Sequence, residues 1–290
     1  MMKPVTSSAI NNYFSLIKFS HTVFALPFAF IGFLLGAKEK NFVFEWKLPV
    51  LILLCMVFAR SAAMAFNRWA DRDIDAKNKR TAVREIPAGI ISADSALLFV
   101  IVNCLLFIAC TYFINTICFY LSPVALLVVL GYSYTKRFTS LSHLVLGLGL
   151  SLAPIGAYLA VTGNFNLLPI LFSIAVLTWV SGFDIIYALQ DIDFDREQKL
   201  KSIPSKLGIK GSLRISAILH LVASVVLLVA SYYGKFSWVY LCGWGVFSIL
   251  LIYQHMLIKA NDLSKVNMAF FTTNGIASVI FAVFVGFEIL

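Results

Sequence analysis

The chain has 290 residues, is 60% hydrophobic and only 13% charged, and carries a formal net charge of +9. Its mean hydropathy of +0.90 excludes an ordinary soluble domain, in which about half the residues are apolar and about a quarter charged. A basic excess on so apolar a chain reads as a membrane-topology signal and needs no nucleic-acid partner.

Nine apolar segments, each about long enough to span a bilayer as a helix, run over 15–37, 47–69, 94–113, 116–134, 141–161, 167–189, 213–233, 237–257 and 268–287. One tight turn around Asn115 must separate the third from the fourth. The runs are continuously apolar and lack the alternation of barrel strands, so the expected fold class is all-α, a polytopic membrane protein. No stretch reads as a linker, which makes residues 1–290 a single transmembrane domain. The apolar stretch after Lys3 and Lys18 is longer than a signal-peptide core and has no small-residue cleavage site, so it reads as a retained helix. Cys55, Cys104, Cys110, Cys118 and Cys242 lie in apolar runs without metal-type spacing and read as packing residues.

With the N-terminus inside, 18 of the 23 basic residues fall on the inner side, while Lys38, Lys40, Lys47 and Lys235 fall opposite and Arg60 lies within a span. The positive-inside rule then predicts a multi-pass protein of the inner (cytoplasmic) membrane, its N-terminus cytoplasmic.

Two acidic clusters repeat one another. Asn67-Arg-Trp-Ala-Asp71-Arg-Asp73-Ile-Asp75 runs on to Lys79, and Tyr187-Ala-Leu-Gln-Asp191-Ile-Asp193-Phe-Asp195 runs on to Lys199, with a constant offset of 120. Six of the chain's 14 acidic residues sit in these windows, 67–75 and 187–195, each at the end of an apolar run on the predicted cytoplasmic face. Carboxylates are costly there and usually functional. At 3.6 residues per turn Asn67, Asp71 and Asp75 share one helix face, drifting by roughly 40° per step, and Arg60 lies about two turns deeper on it. Asp184, Tyr187, Asp191 and Asp195 fall in a second stripe roughly 80° wide. Acids this close repel unless a cation lies between them, and Mg²⁺, which takes oxygen ligands and is commonly shared with substrate phosphates, suits them. Arg72, Lys79, Arg80 and Arg84 follow the first cluster and Lys199 and Lys201 the second, giving the acidic floor and basic rim that a Mg²⁺-carried diphosphate requires.

The pattern Asn67-x3-Asp71-x3-Asp75, followed by Lys79-Arg80-Thr81-x2-Arg84-x2-Pro87-x-Gly89, resembles the first signature of the UbiA superfamily of intramembrane prenyltransferases. Tyr187-x3-Asp191-x3-Asp195 resembles the second, and Tyr132-x3-Lys136-Arg137-Phe138-Thr139 a further segment of the 4-hydroxybenzoate branch. The likeness extends from the stretch Lys18–Pro27 through the ninth helix. Arg68 departs from it, since many relatives place Asp directly after the first Asn.

The resemblance implies a ring of helices around a central cavity that opens sideways to lipid, and transfer of a polyprenyl group from its diphosphate to an aromatic acceptor. It implies that Asn67, Asp71 and Asp75 hold one Mg²⁺ and Asp191 and Asp195 another. Asp71 and Asp191 are then central to catalysis, with Asp191 a candidate to polarise the acceptor hydroxyl as well. Arg72, Lys79, Lys199 and Lys201 would steady the phosphates. Lys136 and Arg137 would meet an acceptor carboxylate, with Tyr187 and Arg60 beside it. The acceptor expected is 4-hydroxybenzoate, in quinone (ubiquinone) biosynthesis; the alternative is a larger benzoate-like intermediate of menaquinone biosynthesis.

Plainer readings stand beside these. Lys136 and Arg137 also fit topology anchors, Arg60 a structural pair, Tyr187 an interfacial aromatic, and Asp184 a bond to a neighbouring helix. His21, His143, His220 and His255 show no ligand spacing and read as structural. A membrane cation transporter is the alternative of another class. Both clusters lie on one side, however, and a repeat whose copies are offset by an even number of spans is parallel, unlike the inverted repeats of many transporters.

Overall fold

A computed structural model of the protein describes residues 9–17 and 25–290. Lys3, Lys18 and His21 lie outside the described residues, as do residues 18–24 of the expected first span. All regular elements longer than an isolated bridge are helical among the described residues. They are α1 (Ala9–Leu16), α2 (Leu26–Glu39), α3 (Lys47–Ala70), α4 (Arg72–Asp75), α5 (Ala93–Ile114) and α6 (Thr116–Thr135). Then come α7 (Ser142–Thr162), α8 (Leu167–Ala188), α9 (Ile192–Glu197), α10 (Ile203–Gly234), α11 (Trp238–Leu257) and α12 (Asn274–Ile289). Eight helices are long and apolar enough to cross a membrane among the described residues, and they coincide with the second to ninth expected segments. The first expected segment is represented by α2, 14 described residues.

Local chemistry sets the boundaries. Asn115 ends α5 and begins α6: its extended backbone (φ −167°, ψ 168°) breaks the helix and its Oδ1 accepts the Cys118 N–H at 2.9 Å. Its Nδ2 donates to the Leu159 carbonyl at 2.8 Å, pinning the turn to α7. Ser202 opens α10 with a reciprocal cap to Ser205, ten residues before the expected start of that span. The difference is an extra turn joined to the membrane helix at Gly208, whose φ of +66° only glycine adopts freely.

Packing divides the bundle in two. The helices α2, α7, α8, α10, α11 and α12 pack in a closed circuit whose middle is filled by Phe28, Phe172, Trp179, Tyr240, Phe247 and Phe281, all at most 2% exposed. The rings meet edge-on or tilted, with centroids 5.3 Å (Phe28–Trp179) to 6.5 Å (Phe28–Phe247) apart. The other half, α3, α5 and α6, is attached mainly through α6 to α7. The ring of helices is thus solid on one side, and the hollow lies between α3 and α6 on one wall and α7 and α8 on the other. Glycine sets how closely α7 and α8 approach, since a Cβ on Gly147 would lie 2.4 Å from the Leu177 carbonyl oxygen.

Candidate active site

Both acidic motifs sit where a membrane helix loses its regular winding. α3 ends at Ala70, Asp71 adopts φ −95°, ψ 2°, and one further turn, α4, carries Asp75. α8 ends at Ala188, a 3₁₀ turn follows, Asp191 adopts φ −110°, ψ 10°, and α9 carries Asp195. The 120-residue offset in sequence is therefore also a repeat of backbone distortion, with Asp71 and Asp191 in the same sparsely populated region. Three spans separate α3 from α8, so the two motifs lie at equivalent ends of parallel helices.

They converge on one cavity of about 870 Å³. Asn67, Asp71, Asp75, Asp191 and Asp195 all line it, together with Arg60, Lys136, Tyr187, Asp184 and His143. The rest of its wall is largely apolar, with Leu146, Leu150, Val180, Phe183, Phe270 and Phe271. A π-helical turn, Met268–Thr273, delivers the last two; such turns are frequent at functional sites.

Each carboxylate is held by a group of the chain itself. Asp71, 2% exposed, receives Lys136 Nζ at 2.6 Å and Asn67 Nδ2 at 3.2 Å, with Arg137 Nη2 3.8 Å away. Burial pushes its carboxyl above the ordinary range, and the Lys136 ammonium opposes that shift. Asp75 takes Arg84 Nη1 on both oxygens, at 2.8 and 2.7 Å. Asp191 accepts from Arg80 Nε at 3.0 Å, from Arg80 Nη2 and from Asn78 Nδ2 at 3.1 Å. Asp195 accepts from Ser202 Oγ at 2.9 Å. Held this way, no three acidic, histidine or cysteine groups are drawn together as a ready metal cluster among the described residues. The donor set still fits a hard cation: five oxygen-bearing side chains line one space, and Asp71 Oδ1 is buried with no hydrogen-bond partner.

That orphan has company. Eight buried side-chain polar atoms lack a hydrogen-bond partner among the described residues: Arg60 Nε, Arg68 Nη1, Asp71 Oδ1, Glu85 Oε2, Ser133 Oγ, Ser173 Oγ, His143 Nε2 and Gln254 Oε1. All but Ser173 and Gln254 belong to residues lining this cavity. Each such atom costs on the order of 1–3 kcal/mol, and their concentration in one place marks a site that a polar ligand completes.

The remaining expected site residues lie elsewhere. Arg72, Arg137 and Lys199 line a separate cavity of about 540 Å³ with Trp69, Lys77 and Tyr134. There Arg72 stacks over Trp69 and Arg137 over Tyr134, 5.0 and 4.8 Å from the ring centroids. Lys79 is exposed and lines neither cavity. Lys201 points its Nζ at the Phe138 carbonyl, 3.1 Å away. In their place the main cavity receives Arg80, Arg84, Arg68 and Lys136, and Arg80 also lies over the Tyr187 ring, 5.7 Å from its centroid. Lys79, Arg80 and Arg84 lie in the turns of residues 76–92, where a helical period no longer says which base faces inward. His143, read from sequence as structural, and Asp184 both line the cavity, bonded to each other at 2.7 Å. His220 and His255 instead pair with one another in the bundle, 2.9 Å apart.

The model of the UbiA prenyltransferase family matches residues 25–276. A 4-hydroxybenzoate octaprenyltransferase of Tolumonas auensis is 34% identical over 234 residues, covering 80% of this chain and 82% of that protein. One of Aliivibrio fischeri is 35% identical over 248 residues, covering 82% and 83%. Among solved structures, the apo form of a UbiA homolog from Aeropyrum pernix superposes with a TM-score of 0.79 at 31% identity, over 93% of this chain and 96% of that one. A UbiA homolog from Archaeoglobus fulgidus, bound to GPP and Mg²⁺, shares the fold with a TM-score of 0.69 at 22% identity, over 96% and 99%.

Proposed function

The chain belongs to the UbiA prenyltransferase family, and from that premise we propose that it transfers a polyprenyl group from polyprenyl diphosphate to an aromatic acid, 4-hydroxybenzoate, in a Mg²⁺-dependent reaction. One observation carries the reading: among the described residues, six of the eight buried, unpartnered polar atoms belong to residues lining the cavity that gathers both acidic motifs. The names of relatives at 34% and 35% identity support the acceptor.

Asn67, Asp71, Asp75, Asp191 and Asp195 would hold the metal. Mg²⁺ bound there would neutralise the diphosphate and make it a better leaving group. Arg80, Arg84 and Lys136, now paired with the carboxylates, would turn to the phosphate oxygens once the metal takes their place. The apolar wall from Leu146 to Phe271 would take the prenyl chain and keep water from the allylic cation. The allylic carbon–oxygen bond breaks with its electron pair going to the diphosphate. A ring carbon ortho to the acceptor hydroxyl forms the new carbon–carbon bond, and that carbon's proton leaves to the diphosphate as aromaticity returns. Arg60, in the membrane-embedded part of α3, would meet the acceptor carboxylate, with Tyr187 at the rim. This role passes to Arg60 from Arg137, which faces the other cavity.

We place the whole chain in one transmembrane unit of the inner membrane with the cavity mouth toward the cytoplasm, on the strength of 18 basic residues on that side. A larger benzoate-like acceptor would use the same Arg60. Membranes bearing the protein, given Mg²⁺, a long polyprenyl diphosphate and labelled 4-hydroxybenzoate, are expected to yield a lipid-extractable product of prenyl chain plus acceptor mass. Diphosphate release without that product would redirect the acceptor assignment.

A further inference from the structure

We infer that His143 is a further catalytic residue: its Nε2 accepts a hydrogen bond from the ring hydroxyl of the acceptor, and Asp184 is the positioning residue that fixes the imidazole for it. The inference rests on the aromatic prenyl-transfer reading above and assigns the end of the acceptor that Arg60 leaves free.

His143 is the second residue of α7, brought in by the turn after α6, and is 4% exposed. Its Nδ1 lies 2.7 Å from Asp184 Oδ2 on α8. An ionised carboxylate only accepts, so Nδ1 carries a hydrogen, and Nε2 of the neutral ring is then an acceptor. That nitrogen is buried and has no partner. Its own backbone is engaged: the His143 carbonyl accepts from Ser181 Oγ at 3.1 Å, which locks the start of α7 against α8. The imidazole is thus held at two points, by a carboxylate on the ring and by the neighbouring helix on the main chain, with one acceptor left over. A structural histidine bridging two helices has no use for that arrangement, because leaving a buried acceptor unmatched costs free energy.

Three of the cavity's donors are committed to the acidic motifs. Arg80, Arg84 and Lys136 hold Asp191, Asp75 and Asp71. Depth points to the acceptor and away from the diphosphate. Asp184 precedes Asp191 by seven residues, and Arg60 precedes Asp71 by eleven. At 1.5 Å per residue that sets them about 10 and about 16 Å deeper than the carboxylates at the mouth. A phenolic acid presents an anion at one end and a hydroxyl donor at the other, and the cavity offers the Arg60 guanidinium, whose Nε is buried, and the buried His143 imidazole acceptor below the phosphate region. A hydrogen bond accepted from the hydroxyl pushes electron density from oxygen into the ring and raises the nucleophilicity of the ortho carbon. The Asp184 charge behind the imidazole strengthens Nε2 as the acceptor.

The test is equilibrium binding of labelled 4-hydroxybenzoate and of benzoate, which lacks the hydroxyl, to purified protein with Mg²⁺ present. Wild type is expected to prefer the hydroxylated acid by about tenfold, or about 1.4 kcal/mol. In His143→Leu that preference falls to near unity while benzoate affinity and Tm hold. His143→Gln, whose amide oxygen accepts, recovers part of it, and Asp184→Asn lies between. In turnover, His143→Leu lowers kcat and leaves the donor KM unchanged. An undiminished preference in His143→Leu overturns the inference, as do equal affinities in wild type. If wild type still prenylates 4-hydroxybenzoate in that case, the functional reading survives alone. If wild type neither binds nor prenylates either acid, the acceptor reading fails and the inference falls with it.

Discussion

In the half of the bundle built from α2, α8, α10, α11 and α12, most buried polar groups find partners within the fold, Ser173 Oγ and Gln254 Oε1 being the exceptions among the described residues. Trp179 Nε1 donates to Asn274 Oδ1 at 2.9 Å, Tyr240 Oη to the Leu227 carbonyl at 2.8 Å, and Trp244 Nε1 to the Ser224 carbonyl at 2.8 Å. The cavity between α3, α6, α7 and α8 does the opposite, leaving guanidinium, imidazole, hydroxyl and carboxylate atoms buried and unmatched. A buried aromatic cluster stabilises by area and packing. A buried set of unmatched charges destabilises until something fills it. The comparison teaches where each kind of substitution acts: stability is concentrated in one half and ligand chemistry in the other.

Five outcomes would test that division. The largest is expected from the metal: chelating Mg²⁺ stops turnover and adding it back restores it, while the ligand-free Tm is unchanged because the carboxylates already hold Arg80, Arg84 and Lys136. Asp71→Ala and Asp191→Ala are expected to lower kcat by about a thousandfold, some 4 kcal/mol of barrier, with the protein still inserted; wild-type rates in either would erase the distinction. On the aromatic side, Trp179→Ala or Phe281→Ala should cost about 3–5 kcal/mol of stability, seen as a lower Tm in detergent. Arg60→Met removes a cation whose Nε is buried and unpartnered, so Tm should hold or rise as the acceptor KM climbs about tenfold. The smallest change belongs to Arg137→Ala, which should move both KM values by less than about threefold, within the range of an exposed charge; a selective rise in the acceptor KM would return Arg137 to the site.

The membrane helices were legible because each is a continuous apolar run, and the acidic motifs because a carboxylate at the end of such a run is rare. Asn67, Asp71 and Asp75, which helical periodicity puts on one face, line one cavity even though α3 breaks at Asp71. Periodicity stopped helping past Asp75. In the turns that follow, Arg80 and Arg84 reach the carboxylates while Lys79 faces out, a choice made by loop geometry. The adjacent pair Lys136 and Arg137 follows α6 directly, and one step along the chain sends them to line different cavities. The His143–Asp184 pair joins residues 41 apart on neighbouring helices, a contact no spacing rule within one helix announces. The solid aromatic half was hidden for a related reason: in a membrane chain, phenylalanines facing lipid and phenylalanines filling a core look alike in sequence.

The central claim, that the cavity's unmatched groups await a metal-bound diphosphate, is tested most directly by ligand-induced thermal stabilisation. Tm is measured with and without Mg²⁺ plus a polyprenyl diphosphate, for wild type and Asp71→Asn. The account predicts a rise of several degrees in wild type, as expected for a ligand at about a hundred times its Kd, and little or none in Asp71→Asn, whose ligand-free Tm stays close to wild type. An equal rise in both proteins, or none in wild type, would contradict it.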